Sequence, residues 1–281
     1  MLQYETLITD FDNTLYDWVD VWSTSFLAML GEMEPIAQVP RDELLRAIRS
    51  VHQKHGTSEY AFLLQEIGAN RLFPDEEREK ALHYAALGYQ RGRASSLKLY
   101  PGVREALLKL RSKGIPIIIY TESLEIYTNG RIIDLDLDGI IDVVYSPPNH
   151  DLQAQQNEQI SLLGEGRRSL KATKHRYLPA GVTKPNPEVL RDIIAEIGAN
   201  PATTMYVGDS PMKDVAMAQE VGVLDVLARY GQAQHRPEYE ILRMVSHWPD
   251  VDVEKERHNL QGPVEASVII DSFEEVLRYF T

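Results

Sequence analysis

Short runs of apolar residues alternate along the chain with longer segments in which apolar positions recur at helical spacing. This alternation is typical of strand–helix units, and it predicts an α/β fold with a parallel sheet. The predicted strands are Glu5–Thr9, Ile115–Tyr120, Ile140–Tyr145, Thr204–Val207, Leu224–Leu227 and Ser267–Ile270.

The stretch between the first two predicted strands is far longer than the crossover helix of a βαβ unit requires. Within it, Trp18, Trp22 and Phe26 fall at helical spacing. The pattern therefore predicts a helical insertion over residues 16–97, after which the chain returns to the sheet.

A second long connection, residues 147–183, is predicted to be a loop inserted into the sheet domain, and a third polar stretch covers residues 231–266. The last part of the second connection is basic and contains Arg167, Arg168, Lys171, Lys174, His175 and Arg176. One hypothesis is that this basic stretch recruits an anionic substrate. A solvated loop without that role is equally consistent with the pattern.

Composition narrows the classes of function. The 281 residues include no cysteine, which excludes disulfides, thiolate metal sites and a cysteine nucleophile. The formal net charge of −13 disfavours nucleic acids and anionic membranes as partners. The longest apolar run, IPIIIY, is much shorter than the ~20 residues of a membrane-spanning helix, and no signal-peptide pattern is present. We therefore expect a soluble, cytoplasmic protein.

Two aspartates, Asp10 and Asp12, follow the first predicted strand. Because the chain alternates faces in a strand and turns directly after it, both carboxylates can face one pocket. One carboxylate could attack phosphorus while the other transfers protons to and from the reacting oxygens. The competing interpretation is a helix-capping cluster.

Four further polar residues stand at comparable places. Thr121 follows the second strand, and Asp209 follows the fourth through a glycine. Lys184 begins a stiff Lys-Pro-Asn-Pro segment, and Asp214 lies five residues after Asp209. Taken singly, each has an ordinary explanation: a capping threonine, a solvated lysine, or an acid in the first turn of a helix. Together they predict a site at the carboxyl edge of the sheet.

This ordered set closely resembles the haloacid-dehalogenase-like superfamily, over residues 1–15 and 98–228. The resemblance implies a Rossmann-like parallel-sheet core domain, formed by 1–15 and 98–281, and a helical cap domain, formed by 16–97. The cap residues Trp18, Trp22, His52 and His55 are candidates to face the pocket, although core packing or a solvated helix surface explains each of them singly.

The same resemblance implies the chemistry. Asp10 is the nucleophile and Asp12 the general acid/base, while Thr121 and Lys184 bind the phosphoryl group. Mg²⁺ is the implied cofactor, with Asp10, Asp209 and the backbone carbonyl of Asp12 as ligands. The remaining member of the set, Asp214, is implied to support the site.

The activity implied is hydrolysis of a small phosphorylated metabolite, such as a sugar phosphate or a nucleotide monophosphate, through an aspartyl-phosphate. Asp12 favours phosphate esters over halides, because a halide leaves without a proton. A phosphomutase and a catalytically degenerate binding protein remain alternatives. Glu122 departs from the asparagine common in relatives, and its carboxylate would repel phosphate unless it points away or meets a cation.

Overall fold

The computed structural model describes residues 3–69, 71–149, 162, 168–179, 181–251, 253–254 and 264–280. At its centre is a seven-stranded, all-parallel sheet with the strand order β4-β3-β2-β1-β5-β6-β7. The strands are β1 (Thr6–Thr9), β2 (Ile117–Tyr120), β3 (Val143–Ser146), β4 (Lys174–Tyr177), β5 (Thr204–Gly208), β6 (Leu224–Ala228) and β7 (Val268–Ile270).

Helices cover both faces of this sheet, which is why its central strands β1, β2 and β5 are buried over their whole length. One face packs against α5 (Val103–Ser112) and part of α6 (Glu125–Asp134), together with the 3₁₀ helix Phe273–Tyr279. The opposite face packs against α7 (Pro187–Glu196) and α8 (Ala216–Val221). The predicted α/β architecture with a Rossmann-like core is therefore confirmed.

One strand was not predicted. Residues 174–177 form β4 at the edge of the sheet, within the connection that the sequence indicated to be a loop. The prediction failed because, within the part of the chain that the structure describes, β4 pairs only with β3, and three of its four residues are exposed. An exposed edge strand can be polar throughout, so the segment Lys-His-Arg-Tyr carries no hydrophobic alternation.

A separate layer of helices lies within residues 16–97. It consists of α1 (Trp18–Met33), α2 (Arg41–His55), α3 (Leu63–Gly68) and α4 (Arg78–Ser96), which share one hydrophobic cluster. Tyr239, Leu242 and Val245 of α9 (Glu238–Val245) belong to the same cluster. We call these five helices the helical layer. The division into 1–15 with 98–281 and 16–97 stays a prediction, although α9 packs with the helices of the second part.

Two glycines allow the longest helices of this layer to approach closely. A Cβ atom at Gly92 of α4 would lie 2.7 Å from the Cα of Ser25 in α1, and one at Gly88 would lie 2.7 Å from the carbonyl oxygen of Ala28. No helix among the described residues is both long enough and apolar enough to cross a membrane.

Candidate active site

Three of the predicted site residues come directly after neighbouring strands. Asp10 follows β1, Thr121 follows β2 and Asp209 follows β5, and β1 lies between the other two strands. The backbone N–H of Asp10 donates to Val207 O at 2.8 Å, which continues the ladder by one residue. All three side chains therefore reach the carboxyl edge of the sheet, where open α/β sheets bind ligands.

Lys184 joins this edge from the segment before α7. Its Nζ donates to Asp10 Oδ1 at 2.7 Å and to Asp214 Oδ1 at 3.0 Å. The same Nζ lies 5.0 Å from the ring centre of Tyr120 and 5.6 Å from that of Tyr206. This buried ammonium is therefore held between two carboxylates and two aromatic rings.

Asp214 is occupied by neighbouring donors. Besides Lys184, it accepts hydrogen bonds from the Tyr206 hydroxyl at 3.0 Å and from the Ser210 backbone N–H at 3.1 Å. A Cβ at Gly208 would lie 2.3 Å from the Asp214 carboxyl carbon, so only glycine leaves room for this acid. Asp214 thus fixes the position of Lys184.

Burial and crowding change the ionisation of these groups. Burial is the main cause that raises the pKa of Asp10 to about 7, against the opposing charge of Lys184. Burial, then the charges of Asp214 and Asp10, raise the pKa of Asp209 well above its usual range. Burial opposes the charge on Lys184, yet Asp10 and Asp214 outweigh it and raise the Lys184 pKa. The site therefore holds more negative charge than one lysine balances.

The donor set fits a hard divalent cation. Carboxylate oxygens of Asp10, Asp209 and Asp214 lie within 4.8 Å of one another. Both carboxylate oxygens of Asp214 accept hydrogen bonds, whereas Asp10 accepts the Lys184 ammonium on Oδ1, so Asp10 and Asp209 are the pair best able to bind such an ion. Oxygen ligands of this kind suit Mg²⁺, and a cation here would offset the excess of negative charge.

The Asp12 carboxylate points to a different set of partners. Its Oδ2 accepts a hydrogen bond from the Ser123 hydroxyl at 2.6 Å, and its Oδ1 accepts one from the Tyr16 hydroxyl. Arg131 NH1 lies 3.4 Å from the same Oδ1. Ser123, Tyr16 and Arg131 are not among the site residues predicted from the sequence.

Arg131 of α6 connects Asp12 to the helical layer. Its NH2 group donates to Glu59, which lies in the loop between α2 and α3, and its NH1 group donates to Ser123 Oγ at 3.0 Å. The guanidinium also lies over the ring of Tyr16 at 5.7 Å and is only 2% exposed as a residue. Burial raises the Glu59 pKa and the charge of Arg131 opposes that rise, so one guanidinium serves two carboxylates.

The sequence offered one weak signal for Arg131. The residue lies four positions after Tyr127, so the two share a face of α6, and the guanidinium is 5.6 Å from the Tyr127 ring centre. That spacing places both residues on one side of the helix, but it does not tell a buried face from an exposed one.

Glu122 meets a cation. Its Oε2 pairs with Lys213 Nζ at 2.6 Å, and its Oε1 accepts the backbone N–H of Lys184 at 3.1 Å. The carboxylate is thus neutralised by a nearby lysine, which is one of the two conditions under which it would not repel phosphate.

A tight turn after β6 also approaches the site. Tyr230 OH donates to the Thr14 carbonyl at 2.8 Å, and a Cβ at Gly231 would lie 1.9 Å from the Asn13 carbonyl oxygen. Asn13 itself has a positive φ of 57°. The backbone at residue 231 therefore packs directly against the loop that carries Asp12, and a side chain at that position would have no room.

The four residues of the helical insertion that were candidates to face the pocket are Trp18, Trp22, His52 and His55. Their contacts are mainly structural. Trp22 donates from Nε1 to Ser58 O at 2.9 Å inside the helical cluster, and His52 Nδ1 donates to Val245 O at 2.6 Å. His55 pairs with Glu66, while Trp18 packs against the clusters of both the sheet and the helical layer.

The basic stretch does not approach the site where the structure describes it. The backbone N–H groups of Lys171 and Thr173 donate to Asp138, before β3, so this part lies at the amino-terminal edge of the sheet. Arg168 pairs with Asp134, and Arg176 Nε pairs with Glu196 at 2.8 Å. The described residues thus give no support to substrate recruitment, and Arg167 lies outside them.

Residues 4–222 match the family model described as haloacid dehalogenase-like hydrolase. Because the match covers most of the chain, the protein belongs to this family and is a hydrolase.

Among curated relatives, the chain is similar to the glyceraldehyde 3-phosphate phosphatase of Methanopyrus kandleri, with 24% identity over 237 residues, or 82% of this chain and 86% of the relative. It is also similar to the glyceraldehyde 3-phosphate phosphatase of Pyrococcus furiosus, with 23% identity over 83% of each chain. These relatives support a phosphatase within the superfamily.

Solved structures show the same fold. A protein from Thermotoga maritima, described as a β-phosphoglucomutase, has a TM-score of 0.55 and 18% identity, covering 98% of both chains. The hydrolase YfnB from Bacillus subtilis, solved with bound magnesium, has a TM-score of 0.52 and 16% identity, also covering 98% of both chains.

Proposed function

We propose that this hydrolase is a Mg²⁺-dependent phosphatase that cleaves a small phosphate monoester through an aspartyl-phosphate on Asp10. The observation that carries the proposal is the pairing of Asp10 with a buried lysine, beside Asp209 and two residues before Asp12. A nucleophilic carboxylate, a fixed cation and a cation-binding acid pair are the parts that phosphoryl transfer requires.

In the first step, a carboxylate oxygen of Asp10 attacks phosphorus while the bond to the ester oxygen breaks. The Lys184 ammonium lies beside the attacking carboxylate and balances charge on the phosphoryl oxygens. Thr121 Oγ1 already accepts the Ser123 backbone N–H at 3.1 Å, so its own O–H is left to donate to a phosphoryl oxygen.

Asp12 transfers the protons. As an acid it protonates the departing ester oxygen, and as the resulting carboxylate it takes a proton from the water that attacks the phosphorus of the aspartyl-phosphate. Asp10 is then regenerated and inorganic phosphate is released. Mg²⁺ bound by Asp10, Asp209 and the Asp12 backbone carbonyl would supply charge neutralisation for the phosphate dianion.

The proposed substrate is a small phosphorylated metabolite. Both curated relatives carry the name glyceraldehyde 3-phosphate phosphatase, so that compound is the first to test, with sugar phosphates and nucleotide monophosphates beside it.

The test is phosphate release from these compounds and from p-nitrophenyl phosphate, with Mg²⁺ and with EDTA. Asp10→Asn is compared with Asp192→Asn, a control at an exposed position of α7. We expect Mg²⁺-dependent turnover that is lost in Asp10→Asn and kept in the control. An acid quench should trap base-labile phosphate on the wild-type protein and on Asp192→Asn, but not on Asp10→Asn.

Two results would contradict the proposal. Turnover that survives in Asp10→Asn would exclude Asp10 as the nucleophile. Transfer of labelled phosphate to a second substrate hydroxyl, with no release to water, would show a phosphomutase.

A further inference from the structure

We propose that Arg131 is a positioning residue, anchored by Glu59 of the helical layer, that fixes the Asp12 carboxylate for proton transfer to the leaving group. The inference rests on the proposed phosphatase function and adds to it a route by which the helical layer acts on the reaction. It assigns roles to two residues that lie outside the set of six derived from the sequence.

The first argument is the geometry around Asp12. Oδ2 is held by the Ser123 hydroxyl at 2.6 Å, while Oδ1 faces the Tyr16 hydroxyl and Arg131 NH1. Arg131 NH1 also donates to Ser123 Oγ at 3.0 Å, so the guanidinium orients one of the other donors to Asp12 as well. Moving Arg131 would therefore loosen both carboxylate oxygens.

The second argument is the place of Glu59. Its side chain is 9% exposed and is ion-paired to Arg131, whose side chain is 3% exposed. An ion pair so deeply buried costs desolvation energy, and removing one partner leaves the other charge without compensation. Because Glu59 belongs to the loop between α2 and α3, while Arg131 belongs to α6 beside the sheet, the pair joins the two parts of the molecule at Asp12.

The chain offers a matched control. Arg93 of α4 also reaches α6, where its NH2 pairs with Asp134 Oδ2 at 2.8 Å. This second ion pair joins the helical layer to the same helix, but Arg93 has no contact with Asp12 among the contacts of the described residues. Loss of Arg93 therefore reports on loosening of the layer alone.

The experiment compares two leaving groups. Protonation by Asp12 matters for an alkyl phosphate, because an alkoxide is a poor leaving group, and matters little for p-nitrophenyl phosphate, which releases a stable anion. We would measure kcat/KM for both substrates in the wild type, Arg131→Met, Arg131→Lys, Glu59→Gln, Asp12→Asn and Arg93→Met. The alkyl substrate is the one turned over fastest in the phosphate-release panel.

We expect Arg131→Met to lower kcat/KM for the alkyl phosphate by about 100-fold or more, and for p-nitrophenyl phosphate by less than about 5-fold. Asp12→Asn should show the same selective loss. Glu59→Gln should show a smaller loss with the same selectivity, and Arg131→Lys should recover part of the alkyl-phosphate activity. Arg93→Met should affect both substrates alike.

Equal losses for both substrates in Arg131→Met, with a folded protein by circular dichroism, would overturn the proposal and leave Arg131 a structural residue. If that variant does not fold, the same ratio in Arg131→Lys and Glu59→Gln decides the question. A wild type without Mg²⁺-dependent, Asp10-dependent turnover would refute the phosphatase function itself, which is a different result from loss of the leaving-group selectivity.

Discussion

The sheet edge and the helical layer both bring acids to the candidate site, and they hold them by different means. Asp10 directly follows β1, between two paired strands, and its balancing cation Lys184 comes from the same part of the fold. Glu59 lies in a loop with no strand to place it, and it is held by an ion pair with Arg131 of α6.

The difference distinguishes residues proposed to take part in the reaction from residues that connect the helical layer to them. At the sheet edge, Asp10, Thr121 and Asp209 each follow a strand directly, and this connection fixes where their side chains lie. In the helical layer, position depends on packing between helices that are distant in sequence, such as α1 with α4 at Gly92. We therefore expect changes at the sheet edge to remove charge balance and activity, and changes to the packing between helices of the layer to act on stability.

The largest effect is expected at Lys184. Lys184→Met leaves Asp10 and Asp214 buried without their common partner, which should cost about 3–5 kcal/mol of unfolding free energy. Loss of the charge that the proposed mechanism uses to balance the phosphoryl oxygens should also lower kcat by about 10²–10³-fold. Urea unfolding in EDTA and steady-state kinetics measure the two effects.

Lys109→Met, at an exposed position of α5, is the control for Lys184→Met, and it should change neither quantity appreciably. If Lys184→Met were as stable as this control, the sheet edge would not depend on its buried cation.

The helical layer should carry its own pH dependence through His52. Burial is the main cause that lowers the His52 pKa from 6.5 to about 4, and the nearby His247 and His55 act in the same direction. Below pH 6.5 the unfolded chain binds the proton and the folded chain does not, so the stability contribution is present above 6.5 and is lost as pH falls towards 4. The full contribution is roughly 3 kcal/mol.

Thermal and urea unfolding between pH 7.5 and pH 5 would measure this, with His52→Gln beside His83→Gln, an exposed histidine of α4. The His52→Gln variant should lose less stability over that range than the wild type and the His83→Gln control. Identical pH profiles for all three proteins would contradict the prediction.

A smaller effect is expected where α1 meets α4. In Gly92→Ala the new methyl group would meet backbone atoms of Thr24 and Ser25 at 2.7 Å, and backbone cannot move aside as a flexible side chain can. We expect a loss of about 1–3 kcal/mol in unfolding free energy, measured by urea denaturation. A neutral result would mean that the two helices separate without cost.

The smallest effect should have the opposite sign. Gly31 lies on the exposed side of α1, and no atom of the described residues lies within 4 Å of a Cβ placed there. Gly31→Ala should therefore stabilise the protein by about 0.5–1 kcal/mol, because alanine loses less backbone freedom on folding. A destabilisation in the same urea experiment would show that α1 is constrained at this position as well.

Much of the sheet could be predicted from the sequence. Strands that are buried on both faces are rich in apolar residues, so β1, β2 and β5 stood out, and the polar residues just after them predicted where the site would lie. Of the six site positions predicted from the sequence, three directly follow adjacent strands in the structure: Asp10, Thr121 and Asp209. Their catalytic roles stay predictions.

Other features of the fold have no hydrophobic periodicity in the sequence that would predict them. β4 is a polar edge strand, and α9 packs with helices that precede it by about two hundred residues, as the contact between His52 and Val245 illustrates with a separation of 193. From the sequence, the Glu122 carboxylate could either repel phosphate or be neutralised by a cation. Only the folded structure shows its ion pair with Lys213.

By itself, the sequence determined the alternation of buried strands and helices, the acidic charge, and the residues placed by direct attachment to a strand end. The tertiary structure decided which distant side chains meet: Lys184 with Asp214, Lys213 with Glu122, and Glu59 with Arg131 beside Asp12. The physical reason is that residues next to the end of a strand in the sequence must lie at the corresponding edge of the sheet. A contact across 72 residues, such as that between Glu59 and Arg131, depends on the packing of everything between them.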